Sequence, residues 1–238
     1  MGKAPTHKPV KITPLNKADY ITTCWQYAAE YEKNVLSNVV PANEFIKLAV
    51  QRGQADKKRT DIFFDREAVN RVFEFFGFLR IAHKNKMVQF ALQPWQCWIL
   101  QELFGYYYLN DEGEPDARRY QIGMLWVARK NGKTKFAAAI SQYMFNYDRE
   151  YSPKIYFAAT TREQAGETLD ACKEFVTDSP VLRKRVKVLA FGLSNKLRGI
   201  GKLKTVQSKA KRLDGLNPHF ACVDEYHAHP DDSMFNIF

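Results

Sequence analysis

Apolar positions recur with helical spacing in the first third of the chain and gather into short runs after it. Asp19 to about Ser37 predicts a helix capped by Asp19, with Ile21, Trp25, Ala28, Ala29 and Leu36 on one side. Pro41 opens a second helix carrying Phe45, Leu48 and Ala49. Asp65 caps a third through Val69, Val72, Phe73, Phe76 and Leu79. Residues 1–18, rich in Lys and Pro, read as a flexible basic arm, and 19–87 as a helical extension.

The texture changes at Phe90. Residues 94–108 are helical and aromatic, and DEGEPDARR is a polar loop. Tyr120–Ala128 is an apolar run with Ile122, Met124, Leu125, Trp126 and Val127, which fits a strand buried on both faces of a parallel sheet. A glycine–lysine turn follows, then a helix from Thr134 to about Tyr147. Lys154–Thr160 predicts the next strand and Arg162–Thr177 the next helix. Residues 186–191 and 203–207 form short strands, and His219–Val223 a last one. Strands alternating with helices predict an α/β fold over 88–238, with a mostly parallel sheet and right-handed crossovers.

Composition narrows the function. The 238 residues carry a formal charge of +10, which favours a polyanionic partner such as nucleic acid. The charge is regional: Arg183 to Arg212 holds eleven Lys or Arg and no acid. Such a segment suits phosphate contact, beside the plainer reading of a solvated face. Cys24, Cys97, Cys172 and Cys222 lie far apart without a CxxC pair, which argues against a zinc site and for buried reduced thiols. No stretch of eighteen apolar residues and no signal-peptide core occurs, so the expected setting is the cytoplasm, away from membranes.

The chemistry gathers at two strand ends. Val127–Thr134, VARKNGKT, follows a predicted strand and opens a predicted helix, the context of a phosphate-binding loop. Backbone N–H groups there cradle phosphates, Lys133 reaches the β- and γ-phosphates of ATP, and the Thr134 hydroxyl ligates Mg²⁺. Val127 stands where the first glycine of GxxxxGK[ST] belongs. The second end is HFACV followed by Asp224 and Glu225. Asp224 suits Mg²⁺, and Glu225 suits a general base that polarises the attacking water. Parallel strands bring both ends to one edge. An ordinary helix start and an ordinary acidic cap are the plain alternatives for each segment alone.

RKNGKT together with the acidic pair resembles the N-terminal half of phage terminase large subunits, over about residues 88–238. The resemblance implies a P-loop ATPase of the RecA-like kind. It implies that Arg129 contacts the γ-phosphate, within a loop that includes Lys130, Asn131 and Gly132. LQPWQCWILQELFG resembles the family's adenine-recognition motif, which implies Gln96 on the adenine edge with Pro94 and Trp95 shaping the pocket. AATTREQA and LDGLNPHFACVDEYHAH fit the same pattern, and Arg212 is the proposed trans-acting finger, with Arg198 and Lys211 as competitors. His227 and His229 read as structural or coupling residues rather than metal ligands. The implied partners are double-stranded DNA, a homo-oligomeric ring, a pentamer by family inference, the portal protein and the small terminase subunit. The implied setting is the host cytoplasm. The family's coupling strand and nuclease domain follow the acidic pair, and this sequence stops thirteen residues after Glu225, so no nuclease activity is expected of it. Two other readings stay open: a superfamily 2 DExH translocase, spelled by Asp224-Glu225-Tyr226-His227, and a nucleotide- or DNA-binding fragment without turnover.

Overall fold

A computed structural model describes residues 15–159, 162–197, 199–207 and 216–238. Helix α1, Lys17–Leu36, begins two residues ahead of the expected cap. Asn16 caps it, accepting from the Asp19 amide at 3.0 Å. Asp19 instead lies in the first turn, where a carboxylate meets the positive end of the helix dipole. Helix α2, Glu44–Asp56, starts beyond Pro41 and is capped by Asn43. Its helical spacing did not identify its covered side: Phe45 is 80% exposed, and Val50, Gly53 and Asp56 are buried. Helix α3, Arg66–Phe78, has the expected cap, with Asp65 accepting from the Ala68 amide at 2.9 Å.

The segment 19–87 also contains strands, which its helical reading omits. Strand β1, Ile62–Phe64, precedes α3, and β2, Arg80–His83, makes a hairpin with β3, Lys86–Gln89. Helix α4, Pro94–Gly105, runs into β4, Tyr106–Leu109, and the expected polar loop is a turn leading into β5, Pro115–Arg118. These form a small antiparallel sheet in the order β1-β4-β5.

The main sheet follows α5, Lys133–Asn146. Its strands are β6, Lys154–Ala159, β7, Val186–Leu189, β8, Gly192–Asn195, β9, Gly201–Gln207, and β10, Phe220–Val223. Helices α6, Arg162–Asp178, and α7, Pro180–Arg183, connect β6 to β7, and α8, Ser233–Asn236, lies near the end. The order is β10-β6-β9-β8-β7. β10, β6 and β9 pair in parallel, and β8 alone is reversed, pairing antiparallel with β9 and with β7, so the sheet is mixed while four of its five strands share one direction.

Tyr120–Ala128 is not a strand. It is irregular, with Ile122, Met124 and Trp126 at 66, 67 and 87% exposure, and Leu125 alone of the five packs on the main core. Apolar composition supplies side chains for a sheet but not the partner ladder that makes a strand, and among the described residues none pairs with this run.

Alternation gives the main sheet two unlike faces. Ile155, Phe157, Leu193 and Leu203 join the core shared with α5 and α6. Tyr156, Ala158 and Val206 face the other way, packed by Leu216, Val223, Ile237 and Phe238. The first core extends through α1, α3 and α4 as one buried cluster. Phe76 of α3 and Trp95 of α4 both touch Phe136 of α5, at 6.0 and 5.5 Å between ring centroids. Among the described residues no helix is long and apolar enough to cross a membrane.

Candidate nucleotide site

Two left-handed residues shape the loop ahead of α5. Lys130 has φ 68° and Gly132 has φ 76°. Between them, Asn131 turns its amide back to donate to the Ala128 carbonyl at 3.0 Å. Gly132 is required by its dihedral rather than by crowding, because an added Cβ would meet nothing within 4 Å. The turn leaves the first amides of α5 facing outward, with Lys133 and Thr134 in the first turn.

β10 delivers the acidic pair to the same place. The Asp224 amide donates to the Ala158 carbonyl at 2.9 Å, carrying the β6 ladder one residue further. Asp224 Oδ1 then accepts from the Glu225 amide at 2.9 Å, and Glu225 takes a left-handed φ of 48°. This tight reversal turns both carboxylates toward α5. Lys133 Nζ lies 2.7 Å from Glu225 Oε1 and 2.9 Å from Asp224 Oδ1. The Lys133 ammonium holds the Glu225 carboxyl below its ordinary range. Burial alone would depress Lys133, but its bonds to Glu225 and Asp224 outweigh that and raise it. Upstream on β10, burial pushes the Cys222 thiol up to about 12, which leaves it a protonated core residue.

A cleft of about 350 Å³ opens beside this pair, lined by Arg129, Thr134, Glu167, Asp224, Glu225, His227 and Ala228. Four residues named from the sequence thus meet at one cavity, with Lys133 bonded to its two carboxylates. Thr134 and Asp224 supply hydroxyl and carboxylate oxygens, the hard donors that Mg²⁺ takes. Arg129 and Lys133 supply positive charge for phosphates.

The adenine-motif residues are placed elsewhere. Gln96 is 4% exposed, and its side-chain oxygen accepts from the Gln93 amide at 2.9 Å. Pro94 is at the N-terminus of α4, and Trp95 packs on Phe136. None of the three lines the cleft; Trp95 bears on it through α5. Arg212, Arg198 and Lys211 lie outside the described residues, as do Thr160 and Thr161.

The cleft also holds two residues that sequence reasoning did not place there. Glu167 comes from the second turn of α6, and His227 Nδ1 lies 3.5 Å from Glu225 Oε2. A signal for Glu167 existed: α6 starts at the C-terminal end of β6, the edge where Lys133 and Asp224 meet. His227 stands on the 3₁₀ turn Tyr226–Ala228, and its neighbour His229 stacks on Tyr226 at 6.2 Å.

Comparison with known proteins points one way. The family model described as the terminase large subunit, ATPase domain, matches residues 94–238. Among solved structures, the large terminase of bacteriophage HK97 is similar in fold, with a TM-score of 0.56 and 24% identity. The match covers 71% of this chain and 34% of that one, so the chain spans about a third of the HK97 protein's length. No curated protein sequence matches.

Proposed function

Because this chain belongs to the family of terminase large-subunit ATPase domains, we propose that it is the ATP-hydrolysing motor of viral DNA packaging, working in the host cytoplasm. The observation that carries the reading is the joining of the phosphate loop to the acidic pair through Lys133. A bare GKT or a bare Asp-Glu is commonplace; the two closing on one cleft is what phosphoryl transfer needs.

In this reading residues 88–238 are the motor domain and 19–87 its scaffold. ATP enters the cleft with its phosphates over the amides at the start of α5. Arg129 and Lys133 neutralise phosphate charge, Lys133 by leaving the carboxylates. Thr134 and Asp224 would hold Mg²⁺, which when bound would supply positive charge to the phosphates. Glu225, released from Lys133, takes a proton from the attacking water. The adenine end extends toward the α4 side, where Gln96, Pro94 and Trp95 are the proposed recognition residues. Arg212 is the proposed finger toward a neighbouring ring subunit. Double-stranded DNA, the portal protein and the small subunit are the proposed partners, the ring is proposed to be a pentamer, and no nuclease step is assigned to these residues.

Steady-state ATPase assays test the reading. Glu225→Gln is expected to lower kcat on the order of 10²-fold or more while Mg-ATP still binds. Lys133→Ala is expected to lose both turnover and tight binding. Unchanged turnover in either variant would sink the assignment.

A further inference from the structure

The face of the main sheet that carries Tyr156, Ala158 and Val206 under a small apolar cover also carries an ordered set of exposed lysines, set toward the start of β6 and β9 and away from the nucleotide cleft. Cross-strand register places Lys154 of β6 directly beside Lys202 of β9, and Lys202 beside Ser194 of β8, which pairs with Lys187 of β7. One row therefore reads Lys154, Lys202, Ser194, Lys187. In the next row Lys204 lies between Tyr156 and Gly192. Paired residues share a face, so all four lysines lie on the side opposite the core residues Ile155, Leu203 and Leu193. All four are exposed.

Strand spacing separates neighbours in a row by about 4.8 Å, and two steps along β9 separate Lys202 from Lys204 by about 6.6 Å. Like charges directly opposite one another destabilise a sheet. Nothing on the strands offsets this, since β6, β7, β8 and β9 contain no Asp or Glu. Among the described residues none of the four makes an ion pair, and Lys204 alone has a ring contact, 5.5 Å from the centre of Tyr156. Ser194, between Lys202 and Lys187, and Gly192, beside Lys204, are small and keep the face low enough for a backbone to lie along it.

We infer that this lysine face is the surface on which the chain holds the phosphates of duplex DNA, with Lys154, Lys187, Lys202 and Lys204 as the contacts. The inference rests on the packaging-motor reading and specifies the surface that reading leaves open. A regular lattice of cations without acids matches a regular line of phosphates, whereas a folded protein partner presents mixed signs. Lys154 opens β6 and Lys202 is second in β9, while Asp224 follows the far end of β10. DNA and ATP therefore sit at opposite ends of the parallel strands, about 17 Å apart along β6.

Fluorescence anisotropy of a labelled duplex, read over a range of salt, tests this on the full chain. Replacing all four lysines by alanine is expected to weaken binding by roughly tenfold or more. The slope of log affinity against log salt is expected to fall by about 3 to 4. DNA-free ATPase should stay as in the wild type, and the thermal midpoint should hold or rise, since the residues are exposed and the repulsion between Lys154 and Lys202 is relieved. Wild-type binding with an unchanged slope in the variant overturns the inference and leaves the motor reading standing. Equal lysine-dependent binding to poly-glutamate reassigns the face to an acidic protein and overturns it too. A wild type that neither binds duplex nor responds to it in ATP turnover removes both.

Discussion

At the scale of single residues, Lys133 already has partners before any phosphate arrives. Its bonds to Glu225 and Asp224 make ATP binding an exchange of anions around one ammonium. Glu225 is depressed, so its share of the pair is present above the unfolded carboxylate value and lost only as pH falls through the lowered one. Lys133 is raised, so its share is present below the unfolded lysine value and lost as pH rises through the higher one. Near neutrality the pair is intact, and ligand rather than pH opens it. Glu225→Gln weakens one competitor for Lys133, so calorimetry is expected to show Mg-ATP binding at least as tight as in the wild type despite lost turnover. Weaker binding would mean that Glu225 helps hold nucleotide. Gly132→Ala is expected to cost about 1 to 2 kcal/mol in urea unfolding, all of it backbone strain, because the new methyl touches nothing. Lys133, Thr134, Asp224 and Glu225 were legible in the sequence because a turn and a strand end fix them locally. Glu167 was readable only through the edge at which α6 starts, and the place of His227 depends on where the 3₁₀ turn docks.

Among elements, Asp148 acts as a staple just past the end of α5. Arg118 of β5 grips its carboxylate with two nitrogens, and His219, just before β10, approaches within 2.7 Å. Its side chain is 4% exposed, and Arg118 and His219 hold its carboxyl below the ordinary range despite burial. Asp148→Ala leaves the half-buried Arg118 guanidinium without its carboxylate and is expected to cost roughly 2 to 4 kcal/mol by denaturant unfolding. A loss under about 1 kcal/mol would show the contact to be solvated. A second buried acid has the opposite sign. Burial against α2 pushes Glu102 of α4 up to about 7, where a Cβ on Gly53 would meet its Oε2 at 2.5 Å. A raised carboxyl favours the fold below the unfolded value near 4.5, and that share is lost as pH rises toward 7. Glu102→Gln is expected to flatten this fall, which thermal midpoints across that window would reveal. An unchanged slope would remove Glu102 as its source. The helix α3 and strands β6 and β10 were readable because a cap or an uninterrupted apolar run marks them. Tyr120–Ala128 shows the limit: its composition is that of a strand, but pairing is a property of two segments.

For the whole molecule, the basic character resolves into a face rather than a tail. The sequence showed a basic segment from Arg183 to Arg212, but only register reveals that Lys154, far upstream, joins Lys202 in one row. Likewise the helical start of the chain looked separable, whereas its side chains enter the core beneath the phosphate loop. Residues 94–238 expressed alone would uncover Phe136, Tyr143 and Phe104, now packed against or clustered with α1 and α3. That fragment is expected to aggregate or to bind hydrophobic dye; a soluble fragment with native ATPase would disprove the dependence. Heredity then acts on a longer unit than the recognisable motor. A recombination joint placed just ahead of Pro94 would hand α5 a stranger's aromatic floor. Exchange between related genes should therefore succeed where the crossover lies upstream of α1, and fail where it splits the floor from the loop above it.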